Sequence, residues 1–209
     1  MAGKQARARD RKQRILEAAA DVFAQRGYGD AGVDEIATAA GTSKGGLYFH
    51  FSGKEALLIA LLDHTSGLLM SRVRAALDEQ EEPVDRAAAA LLTLLHTLGK
   101  HRSLARVFAV EALGAGPKLN RRILELQRSF EAIIEEQLDE AVARGAIAPL
   151  ETRITAQAWV GILHAVLMRW LLDPQARPMD ELFPVLRRLL LQSVGLSVDR
   201  PTEIAGTIR

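Results

Sequence analysis

The 209-residue chain contains no cysteine. Disulfides, thiolate metal sites and cysteine nucleophiles are therefore excluded. Aromatic residues make up only 5% of the chain, while alanine and leucine dominate, a mix that favours helix over strand. No uninterrupted apolar run reaches the ~18 residues that would span a bilayer. The basic N-terminus is not followed by the apolar segment of a signal peptide. These absences lead us to expect a soluble, cytoplasmic chain with no membrane partner.

Catalytic signatures are missing as well. There is no H-E-x-x-H, no serine nucleophile elbow and no phosphate-cradling glycine loop. His64, His96, His101 and His164 fall on separate predicted helices without metal-ligand spacing. The expectation is a protein that is not an enzyme, with no catalytic residue, cofactor or metal site. We find no internal repeat and no low-complexity segment.

The composition is 48% apolar and 25% charged, ordinary for a globular chain with a sizeable core. The length allows one domain, or a small one and a larger one. The net charge of +1 is unevenly spread: residues 1–14 carry Lys4, Arg7, Arg9, Arg11, Lys12 and Arg14 against Asp10 alone, a local +5. By itself such a run reads as a solvated tail; beside a DNA-reading element it reads as an arm that meets phosphates.

The segment from Val33 to Leu58, VDEIATAAGTSKGGLYFHFSGKEALL, is the most informative. Val33, Ile36, Ala37 and Ala40 recur at helical spacing up to a turn at Gly41. Thr42 or Ser43 can cap the next helix, about Lys44 to Phe49. A helix of two turns is unstable alone, so the preceding helix must hold it, and two helices joined by a glycine-containing turn make a helix-turn-helix. Ser52 and Glu55 form S-x-x-E, the pattern of a capping box opening a further helix, with Phe51 placed to staple against Ala56.

Ile36-Ala37, Ala40-Gly41, Ser43, Gly45, Leu47-Tyr48, His50-Phe51, Lys54-Glu55 and Leu57-Leu58 stand in the order and spacing of one family's motif. Over roughly residues 11 to 60 the chain closely resembles the DNA-binding domain of the TetR family of transcriptional repressors. The resemblance implies that the hydroxyl of Tyr48 and the ammonium of Lys54 meet DNA phosphates, and that Tyr28 tucks its ring beneath the helix-turn-helix. A helix N-terminus also attracts anions by itself. The expected DNA-binding set is Thr42, Ser43, Lys44, Gly45, Gly46, Tyr48, Phe49, His50 and Lys54. Lys44 is the best placed to read a guanine edge, whereas Leu47 and Phe51 should be core. Two positions depart from the family: Gly32 stands where a hydroxyl usually caps the second helix, and Gly46 where a side chain often touches bases. At Gly32, Glu35 is placed to reach back to the cap.

Elsewhere the sequence reads as helix throughout. Residues 1–9 should be disordered and the first helix should start at Arg11, with Ile15, Ala18, Ala19, Val22 and Phe23 on its buried face and Gly27 closing it. Further helices are expected at Ser52 to Gln80, Val84 to Lys100, Ser103 to Leu113, Pro117 to Arg144, Thr152 to Leu172 and Met179 to Val194, with Pro184 in the first turn of the last or kinking it. Gln137 interrupts the apolar stripe of the seventh helix and Leu138 compensates. Residues 197–209 should form a loose tail.

The fold expected is all-α with about nine helices: a three-helix helix-turn-helix domain at 1–56 and a helical ligand-binding and dimerisation domain at 57–209. The family's second domain encloses an apolar small-molecule cavity. Candidate liners here are His64, His96, Arg106, Phe108, Glu111, Phe130, Trp159 and His164. The eighth helix is apolar nearly all round, and Ala158, Gly161 and Ala165 would let another helix approach closely. With Leu182, Leu186, Leu189 and Leu190 of the ninth, they suggest an isologous dimer interface.

The leading reading is a homodimeric repressor, bound to a near-palindromic double-stranded DNA operator and controlled by a small apolar or amphipathic effector. The alternative is a small-molecule binding protein whose DNA-binding domain has degraded, for which Gly32 and Gly46 are the support. A third, a helical metal-dependent enzyme, requires stoichiometric metal.

Overall fold

The computed structural model describes residues 2–111 and 116–196, with backbone alone for residues 2–8 and Glu111. Among the described residues there are nine α-helices, one π-helical stretch and no strand. They are α1 (Ala2–Asp30), α2 (Val33–Ala39), α3 (Lys44–His50), α4 (Lys54–Asp78), α5 (Pro83–Lys100), α6 (Arg102–Arg106), the π-helical Val107–Glu111, α7 (Pro117–Ala143), α8 (Thr152–Leu172) and α9 (Met179–Ser193). The tail expected at 197–209 lies outside the described residues.

Local sequence sets most of these limits. Pro117 and Pro83 each open a helix, where a missing N–H costs nothing. Gly145, just beyond α7, takes φ 69° and donates its N–H to the Val142 carbonyl at 2.9 Å. Three expectations need correction, and a fourth leaves two positions open for Pro184. The backbone is helical from Ala2 rather than disordered to residue 9, in keeping with the strong helix formers Ala2, Lys4, Gln5, Ala6, Arg7 and Ala8. Gly27 does take a positive φ, but at φ 79°, ψ 168° it kinks the chain, and the helix resumes to Asp30. The sixth helix stops at Arg106 and gives way to the π-helical turn. Pro184 lies beyond the first turn of α9, so the carbonyl of Asp180 has no helical donor from that position.

The described residues pack as two compact units, one drawn from 1–66 and 102–124 and the other from 67–101 and 125–209. This partition differs from a division at 56/57, because the first half of α4 packs into the first core and the chain returns to that unit at α6. In the first unit α1 packs on α2, on α6 and on the π-helical turn, and α2 on α3. Ile15, Phe23, Ile36, Leu47, Leu57 and Leu58 are all wholly buried. In the second unit α5 packs on α9, and Val73, Leu77 and Ile133 form a buried cluster flanked by Leu69, Met70, Ala90 and Leu94. Helices α4 and α8 are long and apolar enough to cross a membrane by length and composition, although the sequence shows no uninterrupted apolar run of that length. Both send residues into the protein's own cores: Leu57, Leu58, Leu61 and Leu62 from α4, and Trp159, Trp170 and Leu171 from α8.

Candidate DNA-reading surface and ligand cavity

The reading head is built by two local devices. Helix α2 ends in a Schellman turn: Gly41, at φ 61°, donates its N–H to the Thr38 carbonyl at 3.0 Å and Thr42 donates to Ala37 at 2.9 Å. Helix α3 then starts from Ser43, whose Oγ accepts the Gly46 N–H at 3.0 Å, so Ser43 and not Thr42 is the cap. Leu47 and Phe51 are buried, as their spacing required. That leaves Tyr48 and Phe49 outward, at 45% and 84% exposure. Phe49 is the most protruding apolar group on the head, and its ring meets His50 edge-on at 5.2 Å.

Both glycines that depart from the family have a local account. Gly32 caps α2 without a side-chain bond, at a cost of only a few tenths of a kcal/mol. Glu35 does not reach back to it; its carboxylate pairs instead with Arg26 at 3.3 Å. At Gly46 a Cβ would collide with Oγ1 of Thr42. The Thr42 hydroxyl therefore occupies the space that a side chain at 46 would need.

The two lysines are engaged within the protomer. Lys44 Nζ lies 3.0 Å from the Asp34 carboxylate. That hydrogen bond first, and the carboxylate charge second, push the Lys44 pKa up and keep it cationic. Both partners are exposed, so the pair contributes little and can open for a phosphate or base edge. Lys54 is tied down more firmly. It donates to the carbonyls of Gly29 at 2.8 Å and Ala31 at 3.1 Å, and its ammonium sits 4.8 Å from the centre of the Tyr28 ring. In the protein alone, its ammonium thus clamps the end of α1. The Tyr28 ring also packs on Phe23 at 5.7 Å. Burial first, and the Glu55 charge second, raise its phenol pKa.

The helix expected to open on a Ser52 capping box starts one residue later. Helix α4 starts at Lys54 with the Gly53 carbonyl accepting from Leu57 at 3.0 Å, which leaves Ser52 outside the cap position. Glu55 faces Lys118 at 4.0 Å. Arg122 binds Asp63 at 2.6 Å, so the start of α7 is held against α4 within the first unit. Of the basic arm, Lys12 lies 5.8 Å over the Phe51 ring.

The second unit contains an apolar cavity of about 260 Å³. Its walls come from α4 (Leu69, Val73, Leu77), α5 (Leu91, Leu94, Leu98), α7, α8 and α9, and its few polar groups are Gln127, Gln137 and His164. Among the eight residues expected to line it, Phe130, Trp159 and His164 do. Trp159 is held by an Nε1–H donated to Ser193 Oγ at 3.0 Å.

His64, His96, Arg106 and Phe108 do not line it. His64 belongs to the first unit and sits 3.3 Å from the side-chain amide of Gln13. His96 belongs to the second unit and turns toward Asp180, 3.8 Å away, with its Nε2 buried and unpaired. Arg106 and Phe108 fall in the first unit because α6 and the π-helical turn pack on α1. The Glu111 side chain lies outside the described residues. Liners missed from sequence include Gln127, whose spacing from Phe130 and Gln137 on one face of α7 was the available signal.

The residues expected at a dimer interface separate into two groups. Ala158, Gly161 and Ala165 are exposed on α8, in one stripe with Ile154 and Leu172, at 60% and 56% exposure. Leu189 is exposed on α9 and Leu182 is half-buried. Leu186 and Leu190 instead point inward and are buried, and Leu190 lines the cavity. Helical phase places Leu190 about 100° from the exposed Leu189, and Leu186 about 100° from the exposed Val185. Among the described residues no three His, Asp or Glu side chains are grouped to hold a metal ion.

Comparison with known proteins agrees with both halves. Residues 15–61 match the family model for bacterial regulatory proteins of the tetR family, and residues 80–173 match the model for a tetracyclin repressor-like C-terminal domain. The fatty acid metabolism regulator protein of Bacillus subtilis is 25% identical over 187 residues, covering 89% of this chain and 96% of the relative. The transcriptional regulator RutR of Escherichia coli is 29% identical over 172 residues, covering 80% of this chain and 74% of the relative. Among solved structures, the fatty acid degradation regulator FadR of Bacillus halodurans superposes with a TM-score of 0.80 at 27% identity, covering 88% of this chain and 99% of that one. FadR of Bacillus subtilis, solved in complex with stearoyl-CoA, gives a TM-score of 0.80 at 25% identity, covering 87% and 98%. With a capped helix-turn-helix at one end of its sequence and an apolar cavity in its second unit, the chain belongs to the TetR family of transcriptional regulators.

Proposed function

We propose that this regulator is a homodimeric repressor that binds a near-palindromic operator and answers to an apolar or amphipathic small molecule held in the cavity of its second unit. The observation that carries the ligand reading is the cavity itself. A space of about 260 Å³ walled by leucine, valine and phenylalanine, with two glutamines and one histidine, suits an aliphatic chain. Each buried methylene contributes about 0.8 kcal/mol. The likeness to a relative solved with stearoyl-CoA supports a fatty acyl chain as the apolar part.

Dimerisation is supported by the α8 stripe. Ile154, Ala158, Gly161, Ala165 and Leu172 present an apolar strip with small residues at its centre, the kind of surface that marks a protein–protein contact. Two copies related by a twofold axis would carry two α3 helices to half-sites one helical turn of DNA, ~34–36 Å, or a multiple of it, apart. On each half-site Tyr48, His50 and the basic arm would meet phosphates. Ser43, Lys44 and Phe49 would face base edges, with Phe49 suited to a thymine methyl.

Helix α4 links the two activities. Its Leu57 and Leu58 lie in the core beneath the helix-turn-helix, and its Leu69, Val73 and Leu77 lie in the cavity wall. A ligand with different affinity for two positions of this helix would shift operator affinity, by ~1–3 kcal/mol in typical cases. Gly46 gives a degraded DNA-binding domain no support, because Thr42 fills the space beside it. We read the chain as non-catalytic and cytoplasmic, in line with its relatives.

The test is a titration of a DNA duplex, selected from a random pool by the purified protein, followed by fluorescence anisotropy with and without decanoyl-CoA or stearoyl-CoA. Selection of a near-palindrome and an affinity change of at least ~5-fold on adding acyl-CoA are expected. Failure to enrich any sequence would sink the DNA reading; enrichment without an acyl response would sink the ligand class alone.

A further inference from the structure

The apolar cavity shares one wall with a small charged recess. Gln137, on α7, lines both. One turn further along α7, and across on α5, the recess is formed by Arg86, Glu140 and Arg144 together with Pro83 and Ala141. All of these residues belong to the second unit.

The guanidinium groups there are unevenly satisfied. Arg86 Nη1 lies 3.3 Å from Glu140 Oε2, and Arg144 pairs with the other oxygen of the same carboxylate. One carboxylate thus serves two cations. Arg86 is largely buried, with side-chain exposure of 18%, and its Nε is buried without a hydrogen-bond partner. A buried guanidinium N–H with no acceptor is costly and is normally satisfied. Arg144 is half-exposed, so the recess opens toward water. The recess holds about 10 Å³, close to the room needed by a single water, so an anion can enter only if Glu140 yields its place.

We propose that this recess is the head-group site of an anionic amphiphile, whose aliphatic chain lies in the adjoining cavity. The proposal rests on the reading of that cavity as a ligand site and adds to it the charge and the seat of the polar end. Arg86 would engage the anion through its free Nε and a neighbouring N–H, the side-on bidentate geometry that guanidinium offers to carboxylate or phosphate. Arg144 would provide the second cation from the water side. Glu140 is the internal stand-in for the anion: its carboxylate bridges the two arginines and competes with the incoming group. Gln137 lines both spaces and so marks the boundary between chain and head group. A neutral or cationic head group would gain nothing from this arrangement.

The shared chemistry is a chain ending in an anion, and it has two sources: the carboxylate of a free fatty acid, or the phosphates of its coenzyme A thioester. Trp159, in the cavity wall, is one of only two tryptophans and supplies the readout. Decanoate, decanoyl-CoA and decanol are titrated against the full chain, its Arg86→Gln, Arg144→Gln and Glu140→Gln variants, and a Leu94→Trp variant that blocks the cavity. At least one anionic compound should bind about tenfold or more tighter than decanol. Arg86→Gln should bring that affinity to the decanol level and leave decanol unchanged, with Arg144→Gln giving a smaller loss. Glu140→Gln should raise the anion's affinity several-fold. Whether decanoate or decanoyl-CoA shows this pattern identifies the source.

Equal binding of all three compounds, or an anion preference that survives the double Arg86→Gln, Arg144→Gln variant, overturns the head-group site and leaves the cavity reading standing. Absence of binding by any of them, or binding that Leu94→Trp does not weaken, overturns the cavity reading and the head-group site with it. Helical content and thermal midpoint of each variant, measured by circular dichroism, separate lost binding from lost folding.

Discussion

In the first unit Phe23, Ile15, Ile36, Leu47, Leu57 and Leu58 are sealed from solvent, whereas in the second Leu94, Phe130 and Leu163 face an open space of about 260 Å³. The same residue types, on helices of similar composition, are packed to completion in one place and left short of neighbours in the other. The difference fits the role proposed for each unit. A reading head must hold α3 in one orientation, and close packing gives it a single well-ordered arrangement. A sensor must gain contacts when its ligand arrives, so its apolar walls must lack some beforehand.

The contrast extends to the surface. The head exposes Tyr48 and Phe49 singly among polar neighbours, while α8 exposes a continuous strip from Ile154 to Leu172. The largest expected effect lies there. A Cβ at Gly161 meets nothing within 4 Å of the protomer, so Gly161→Trp should leave the monomer's fold intact. It should nevertheless yield monomers by light scattering and weaken operator binding by about 10²–10⁴-fold, the scale of a lost second binding event. A variant that remains dimeric removes the interface.

The packing contrast can be tested directly. Phe23→Ala should destabilise the chain by about 3–5 kcal/mol, the usual loss for a sealed aromatic. Phe130→Ala should cost clearly less, because that ring already borders a void. Denaturant melts of the two variants check this, and equal losses would mean that the cavity is not open in solution. In the opposite direction, Leu94→Trp should fill the space, abolish the acyl response and keep operator affinity within about twofold. Loss of DNA binding in that variant would break the separation of the two functions.

Smaller effects concern the lysine and tyrosine of the head. Lys54→Ala removes two charge-assisted bonds to backbone carbonyls at the end of α1, so stability should fall by about 1–3 kcal/mol. A full loss of DNA affinity with an unchanged melting point would make Lys54 a phosphate contact rather than a clamp on α1. Tyr48→Phe deletes only an exposed hydroxyl. It should weaken binding to all DNA sequences by ~1 kcal/mol at unchanged stability; a sequence-selective loss would instead make Tyr48 a base reader.

Much of the fold was legible because helices announce themselves within a few residues. Ser43 capping α3, Gly41 closing α2, Pro117 opening α7, and the limits of α8 at Thr152 and Leu172 all depend on bonds spanning at most five positions. Heptad-like spacing likewise marked Leu47 and Phe51 as core and Ala158, Gly161 and Ala165 as one face. Register was less secure: the S-x-x-E pattern at Ser52 fits a helix starting at Gly53, and the observed start is one residue later, at Lys54. The cavity was legible only in part. Phe130, Trp159 and His164 lie in its wall, but His64, Arg106 and Phe108 belong to the first unit, since α6 returns to α1.

By itself, then, the sequence determined the all-helical class, the helix-turn-helix, its caps and its apolar faces, all of which arise from short-range hydrogen bonding and a 3.6-residue period. The tertiary structure decided which faces meet. It put Lys54 under the Gly29 and Ala31 carbonyls and turned Leu186 and Leu190 inward while Leu189 stayed out. It also left an apolar gap beside the Arg86, Glu140 and Arg144 recess. The physical reason is that periodicity tells a side chain which way to point along its own helix, whereas its neighbours come from residues dozens of positions away, and only the packed chain brings those together.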